Sequence, residues 1–192
     1  MTPARALFYA CVFESGLLLV AYAIGWVAGV DPLSAVNDDL RAAGTGLLAV
    51  LPMLVLLWWG LRHPHGAMGR ATVQARDFVH QFFDGIGPGG FALVALLAGL
   101  CEEALFRGLV QTVVAQHSNV LTGLIIASVL FGLAHAVSVA YAVAATVIGL
   151  YLGGLFLYAD SLTAPIVCHA VYDFVALLWL SRIETSTAIK PG

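Results

Sequence analysis

The sequence predicts an all-α, polytopic membrane protein: a transmembrane bundle of about six spanning helices plus one short interfacial helix. Two observations carry this prediction. The 192 residues are 61% hydrophobic and only 10% charged, whereas a soluble domain carries about 25% charged residues. So few polar side chains cannot cover a globular surface in water. The apolar residues also gather into runs of the length needed to cross a bilayer, about 20 residues, with most charges placed in the connections between them.

The runs fall near 7–30, 44–61, 91–113, 119–136, 138–159 and 162–181. All should be helices, because lipid offers backbone groups no outside partners. The first run is too long for a signal peptide, carries Glu14 and Trp26, and lacks a small-x-small cleavage site, so it reads as an anchor. Glu14 is an acid at membrane depth, open either to function or to a packing or interfacial place. Residues 62–90 form the longest connection. Within it Phe78, Val79, Phe82, Phe83 and Ile86 recur at helical spacing, with Arg76, Asp77, Gln81 and Asp84 on other faces. That pattern predicts an amphipathic helix on the membrane surface, and makes His63, His65 and His80 interfacial residues rather than ligands. The fifth run holds the small pair Gly149 and Gly153, a close-packing signal. The whole chain, 1–192, reads as one membrane domain with a motif-bearing core over about 91–181.

Loop charge sets the expected orientation. Alternating spans collect Arg5, Arg62, Arg70, Arg76, Arg182 and Lys190 on one side and leave only Arg41 on the other. The positive-inside rule then places both termini in the cytoplasm of a cell (plasma) membrane protein. A net charge of −3 gives no reason to expect nucleic acid. Cys11, Cys101 and Cys168 lie in apolar runs without metal-ligand spacing, which reads as packing rather than a disulfide framework.

Three runs contain polar constellations, each with a four-residue step that places both members on one helix face. The third run holds Glu102, Glu103 and Arg107. A single charge at a span centre costs roughly 2.5 to 3.5 kcal/mol, so such residues face a bundle interior or a wet cavity and carry function. Glu103 and Arg107 can form an intrahelical ion pair. Glu102 is rotated by about 100° from Glu103 and is left free to face a cavity. The fourth run holds Phe131 and His135, and the sixth holds His169 and Asp173. Clustering these groups lets them share water and hydrogen-bond partners instead of being desolvated separately.

Such a set can activate water, with the carboxylate as general base and an imidazole holding or shuttling the proton, while a second His stabilises an oxyanion. Glu102, His135 and His169 could instead ligate zinc as a His₂Glu site with an open fourth position. Neither chemistry needs a nucleophilic serine or cysteine, and no Gly-x-Ser-x-Gly elbow occurs.

Together the three motifs, Glu102-Glu103…Arg107, Phe131…His135 and His169…Asp173, resemble the CAAX-protease and bacteriocin-processing (CPBP, or Abi) family of intramembrane proteases over about Phe91 to Leu180. The family pattern is Glu-Glu-x-x-x-Arg, Phe-x-x-x-His and His-x-x-x-Asn/Asp, in that order on separate helices. The resemblance implies a helical fold with a water-filled cavity open to the cytoplasm. It implies hydrolysis of a peptide bond in a membrane-associated peptide or protein, a prenylated or lipid-anchored chain among the candidates. It gives Glu102 and His135 the activation of water, His169 and Asp173 the oxyanion, and the Glu103–Arg107 pair a supporting place. The last position is Asp rather than Asn. An ionised Asp only accepts hydrogen bonds, so Asp173 is expected to orient His169. Family members are described both as metalloproteases and as glutamate-dependent enzymes. Two other classes fit the same residues: a non-catalytic immunity or partner-binding membrane protein, and a proton-coupled transporter built on a Glu–His–Asp relay.

Overall fold

The computed structural model describes residues 1–183. It is all helical: α1 Pro3–Ala28, α2 Leu40–Arg62, α3 Ala67–Phe83, α4 Pro88–Glu103, a π-helical segment Ala104–Gln111, α5 Thr112–His117, α6 Val120–Ala134, α7 Val139–Ala159 and α8 Thr163–Leu180. Among the described residues, five helical spans are long and apolar enough to cross a membrane: α1, α2, the continuous Pro88–His117 rod, α7 and α8.

The fourth expected span differs in length. Helix α6 has 15 residues, about 22 Å at 1.5 Å per residue, short of the roughly 30 Å hydrocarbon core. Its limits are local chemistry. Asn119 caps the start by accepting from the Thr122 N–H at 2.9 Å, and the helix stops at His135, whose backbone leaves helical values. The expected third span extends instead, because α4, the π segment and α5 run on without a break.

Turn chemistry marks the other ends. Asp39 caps α2 through the Arg41 N–H at 2.8 Å, and Ser138 caps α7 through the Tyr141 N–H at 3.1 Å. Helix α1 ends at Gly29, where φ is +70°, a left-handed position that glycine takes without strain. The α1–α2 connection is tied to the α7–α8 turn. There Ser161 Oγ donates to Asn37 Oδ1 at 2.9 Å, and Thr163 Oγ1 donates to the Asn37 carbonyl at 2.6 Å.

The amphipathic helix expected in the long connection is α3. It does more than lie on a surface: it packs against α2 and α7 and buries Gly69, Ala71, Thr72 and Val79. Ile86 falls beyond its end. Phe78 and Phe82 stay exposed. His63 Nδ1 contacts the Trp59 carbonyl at 3.1 Å and its ring stacks on Trp59, while His80 Nε2 contacts the Ile183 carbonyl at 2.8 Å. Arg5, Arg62, Arg70, Arg76 and Arg182 gather at one end of the bundle; Lys190 lies outside the described residues.

The principal packing partners are α6 with α7, α4 with α8, and α2 with α8. Helices α4 and α8 approach closely at Gly99, where an added Cβ would lie 2.9 Å from Ala170 Cβ, the Ala170 nitrogen and the Ile166 carbonyl oxygen. That contact lies one turn from Glu103 and His169. It brings the motif-bearing faces of α4 and α8 together at the centre of the bundle.

Candidate active site

Glu102 and Glu103 close α4, and the π segment begins immediately after them. A π-helical stretch with i→i+5 bonds is rare and is found mostly at functional sites. Thr112 Oγ1 donates to the Arg107 carbonyl at 3.0 Å, a five-residue step across the segment. The wider turn keeps Glu103, Arg107 and Gln111, each four apart, along one line of the rod.

Glu103 and Arg107 have no solvent exposure. Arg107 Nη1 donates to Glu103 Oε1 at 2.7 Å, and Nη2 donates to the Gly149 carbonyl of α7 at 3.0 Å. One turn on, Gln111 Nε2 donates to the Gly153 carbonyl at 3.2 Å. The Gly149–Gly153 pair therefore does more than admit a neighbouring helix. Its two carbonyls receive two side chains from the π segment in matching four-residue register.

The expected ion pair has a third member. His169 Nδ1 lies 2.8 Å from Glu103 Oε1, so the same oxygen that pairs Arg107 also holds a ring of α8. On the other side of the ring, Nε2 lies 3.4 Å from Asp173 Oδ2. That is longer than a good hydrogen bond, so this nitrogen is only weakly engaged. His169 stands between two carboxylates, the arrangement that orients an imidazole as a donor.

Glu102 faces another way. Its side chain is 9% exposed, and Oε2 lies 3.7 Å from His135 Nε2. This oxygen is buried and without a hydrogen-bond partner. His135 Nδ1 lies 2.8 Å from the Phe131 carbonyl. A carbonyl only accepts, so the proton belongs on Nδ1 and the Nε2 lone pair points towards Glu102. The gap is too long for a hydrogen bond and short enough for one water to touch both groups.

Phe131, the first residue of the α6 motif, links the two halves. Arg107 Cζ sits 4.6 Å over its ring. The ring lies 4.5 Å from the His135 ring and 5.9 Å from the His169 ring, and meets Phe106 edge-on at 5.1 Å. The structure thus brings Glu102, Glu103, Arg107, His135, His169 and Asp173 into one cluster. It also adds Phe131 and Gly149, which sequence reasoning passed over as site residues. The spacing Phe131…His135 marked the first. Nothing in the chain announced that Arg107 and Gly149, 42 residues apart, would pair.

Two shallow recesses of about 300 and 330 Å³ lie along α5–α7, one lined by Gln111, Thr112, Gln116 and Phe156, the other by Leu150, Tyr151 and Tyr158. Neither includes a member of the cluster. Entry to the cluster is at His135 and Asp173, whose side chains are 29% and 30% exposed. Both lie towards the arginine-rich end.

The residues named for zinc are not gathered into one ligand set. A His₂Glu site needs one free nitrogen from each His converging with a carboxylate oxygen at about 2 Å from the metal. His169 Nδ1 is committed to Glu103, which leaves Nε2, 3.4 Å from Asp173 Oδ2, as its one nitrogen for a ligand. Among the described residues, no three His, Cys, Asp or Glu side chains are arranged to hold a metal ion.

Residues 87–175 match a family model described as Type II CAAX prenyl endopeptidase Rce1-like. The match covers nearly half the chain and contains all six clustered residues; α1, α2 and α3 lie outside it. It agrees with the family resemblance read from the three motifs. No curated protein and no solved structure matches the chain.

Proposed function

On the match of residues 87–175 to a family model described as Type II CAAX prenyl endopeptidase Rce1-like, we propose that this integral membrane protein hydrolyses a peptide bond in a lipid-anchored, membrane-associated chain. The attacking species is water, held between Glu102 and His135. One observation carries the proposal: a buried, unpartnered carboxylate oxygen of Glu102 lies 3.7 Å from the unprotonated nitrogen of His135. A buried acceptor without a partner asks for an explanation, and two acceptors at this separation both take hydrogen bonds from a single water.

In the reaction, that water donates one hydrogen to Glu102 and the other to His135 Nε2, leaving an oxygen lone pair turned to the scissile carbonyl. As the C–O bond forms, Glu102 takes the proton. His169, which carries a proton on each ring nitrogen between Glu103 and Asp173, donates its Nε2–H to the oxygen on which negative charge develops. When the C–N bond breaks, Glu102 returns the proton to the leaving amine. The products are a carboxylate and an amine, and no covalent enzyme intermediate forms. Arg107 holds Glu103 in place and supports the ring of Phe131.

The arginine-rich end carries His135 and Asp173. Under the positive-inside rule it faces the cytoplasm, with both termini, and substrate enters there. The exposed Phe78 and Phe82 of α3 lie at that end, where they can meet the acyl or prenyl region of the bilayer.

The test is cleavage of a prenylated peptide by purified protein in lipid nanodiscs, followed by mass spectrometry, before and after exhaustive chelation. Cleavage is expected, with activity retained after chelation and no stoichiometric zinc by element analysis. Proton flux without cleavage would favour a transporter. Tight peptide binding without cleavage would favour a partner-binding protein. Loss of activity on chelation, restored by zinc, would overturn the water assignment.

A further inference from the structure

Glu14 lies in α1, outside the family match and outside the three motifs. Helix α1 exposes most of its surface, including Phe13, Leu19 and Trp26. Its buried residues, Ala6, Glu14, Ala21 and Gly25, form one narrow stripe, with which it packs on α4 and the π segment. The stripe is made of small residues with one exception, a carboxylate that is only 7% exposed. Small residues there are explained by close packing. A buried carboxylate is not, since desolvating it costs several kcal/mol unless it is partnered. Glu14 Oε2 is buried without a hydrogen-bond partner, the same condition as Glu102 Oε2. Glu14 also lies within electrostatic range of Glu102, His169 and Asp173. Helix α1 thus carries its one buried acid on the side packed against α4 and the π segment, which hold Glu102, Glu103 and Arg107, and its unpartnered oxygen satisfies nothing in the packing.

We propose that Glu14 is a positioning residue of the active site, acting through Glu102. Its carboxyl group, through bridging water, holds the Glu102 carboxylate turned towards His135. Two carboxylates brought together inside a bundle repel each other unless a proton or water lies between them. The bridge that relieves this also fixes the orientation of both. Helix α1 is thereby a part of the catalytic unit, contributed from outside the motif-bearing core. This inference rests on the hydrolytic function proposed for Glu102.

The experiment compares wild type with Glu14→Gln, Glu14→Asp, Glu102→Gln and the Glu14→Gln/Glu102→Gln double variant in nanodiscs, on the same prenylated peptide. Glu14→Gln is expected to lower kcat by about 10- to 100-fold with KM within about twofold. Its thermal midpoint should stay equal or rise, because a buried carboxylate has been replaced by its neutral isostere. Glu14→Asp should recover part of kcat, and the double variant should lose nothing beyond Glu102→Gln. Infrared difference spectra give a readout independent of turnover: Glu14→Gln should shift the carboxyl band that disappears in Glu102→Gln. Wild-type kcat in Glu14→Gln, a fall in its thermal midpoint that tracks the loss of kcat, or an unmoved Glu102 band would overturn the proposal. If Glu102→Gln is inactive and Glu14→Gln is wild type, only this inference fails. If Glu102→Gln keeps full activity, the hydrolytic assignment itself fails, and this one with it.

Discussion

Replacing Glu102 with Gln is expected to lower kcat for peptide cleavage by at least about 10²- to 10⁴-fold, the usual contribution of a positioned general base. The amide has the size of the carboxylate and cannot take a proton from water. Glu102 Oε2 makes no hydrogen bond within the protein, so the substitution removes no contact that supports the fold. The variant should insert, purify and melt like wild type. His135→Ala should give a similar loss, since its Nε2 lies 3.7 Å from the same oxygen and holds the second hydrogen of the water. Because the two groups act on one molecule, the double variant should lose little more than either single variant. Steady-state kinetics with thermal melts separate this result from misfolding. Multiplicative losses in the double variant would mean that the two groups act in separate steps.

Arg107→Ala should have the largest effect on stability, about 3 to 5 kcal/mol, the range found when one member of a buried ion pair is removed. The guanidinium is fully buried, donates to Glu103 and to the Gly149 carbonyl, and lies over the ring of Phe131. Its loss leaves Glu103 with the His169 ring as its one charge partner and a carbonyl of α7 without its donor. The protein should accumulate poorly or aggregate. Arg107→Lys should rescue only in part, because an ammonium is a point donor and lacks the planar fork that reaches Glu103 and Gly149 together. Glu103→Ala should also destabilise. The Arg107→Ala/Glu103→Ala double variant should recover some of the loss, because the Glu103 carboxylate is then no longer buried without its guanidinium. Thermal midpoints of the four proteins in one detergent check this cycle. A fully stable Arg107→Ala would contradict the pairing.

Much of this was legible in the chain, for definable reasons. Lipid forces apolar runs into helices, so the spans near 7–30, 44–61, 138–159 and 162–181 could be read from run length alone. A four-residue step within one helix is local geometry. Glu103–Arg107 and His169–Asp173 could therefore be paired on paper, and the structure places them at 2.7 and 3.4 Å. What was not legible depends on relations between helices or on backbone detail. The π segment leaves no mark in composition, since Ala104–Gln111 would serve equally well as α-helix. The second role of Glu103, holding His169, depends on how closely α4 and α8 approach at Gly99. The pairing of Arg107 with Gly149 depends on the register of α7 against the π segment. Zinc is open on residue types alone; whether Glu102, His135 and His169 gather into one ligand set depends on how three helices pack, and among the described residues they do not. The run read as 119–136 exceeds α6 by Asn119, His135 and Ala136, because hydropathy says little about where the backbone turns.

The central claim is that water, activated by Glu102 and His135, attacks the peptide carbonyl directly. The most direct measurement is cleavage of the prenylated peptide in H₂¹⁸O with hydroxylamine present, followed by mass spectrometry of the new carboxyl end. Direct attack predicts one ¹⁸O atom in that carboxylate and no hydroxamate at any hydroxylamine concentration. A hydroxamate product would reveal an acyl-enzyme intermediate, with buried Cys101 or Cys168 the first residues to test, and would contradict the account.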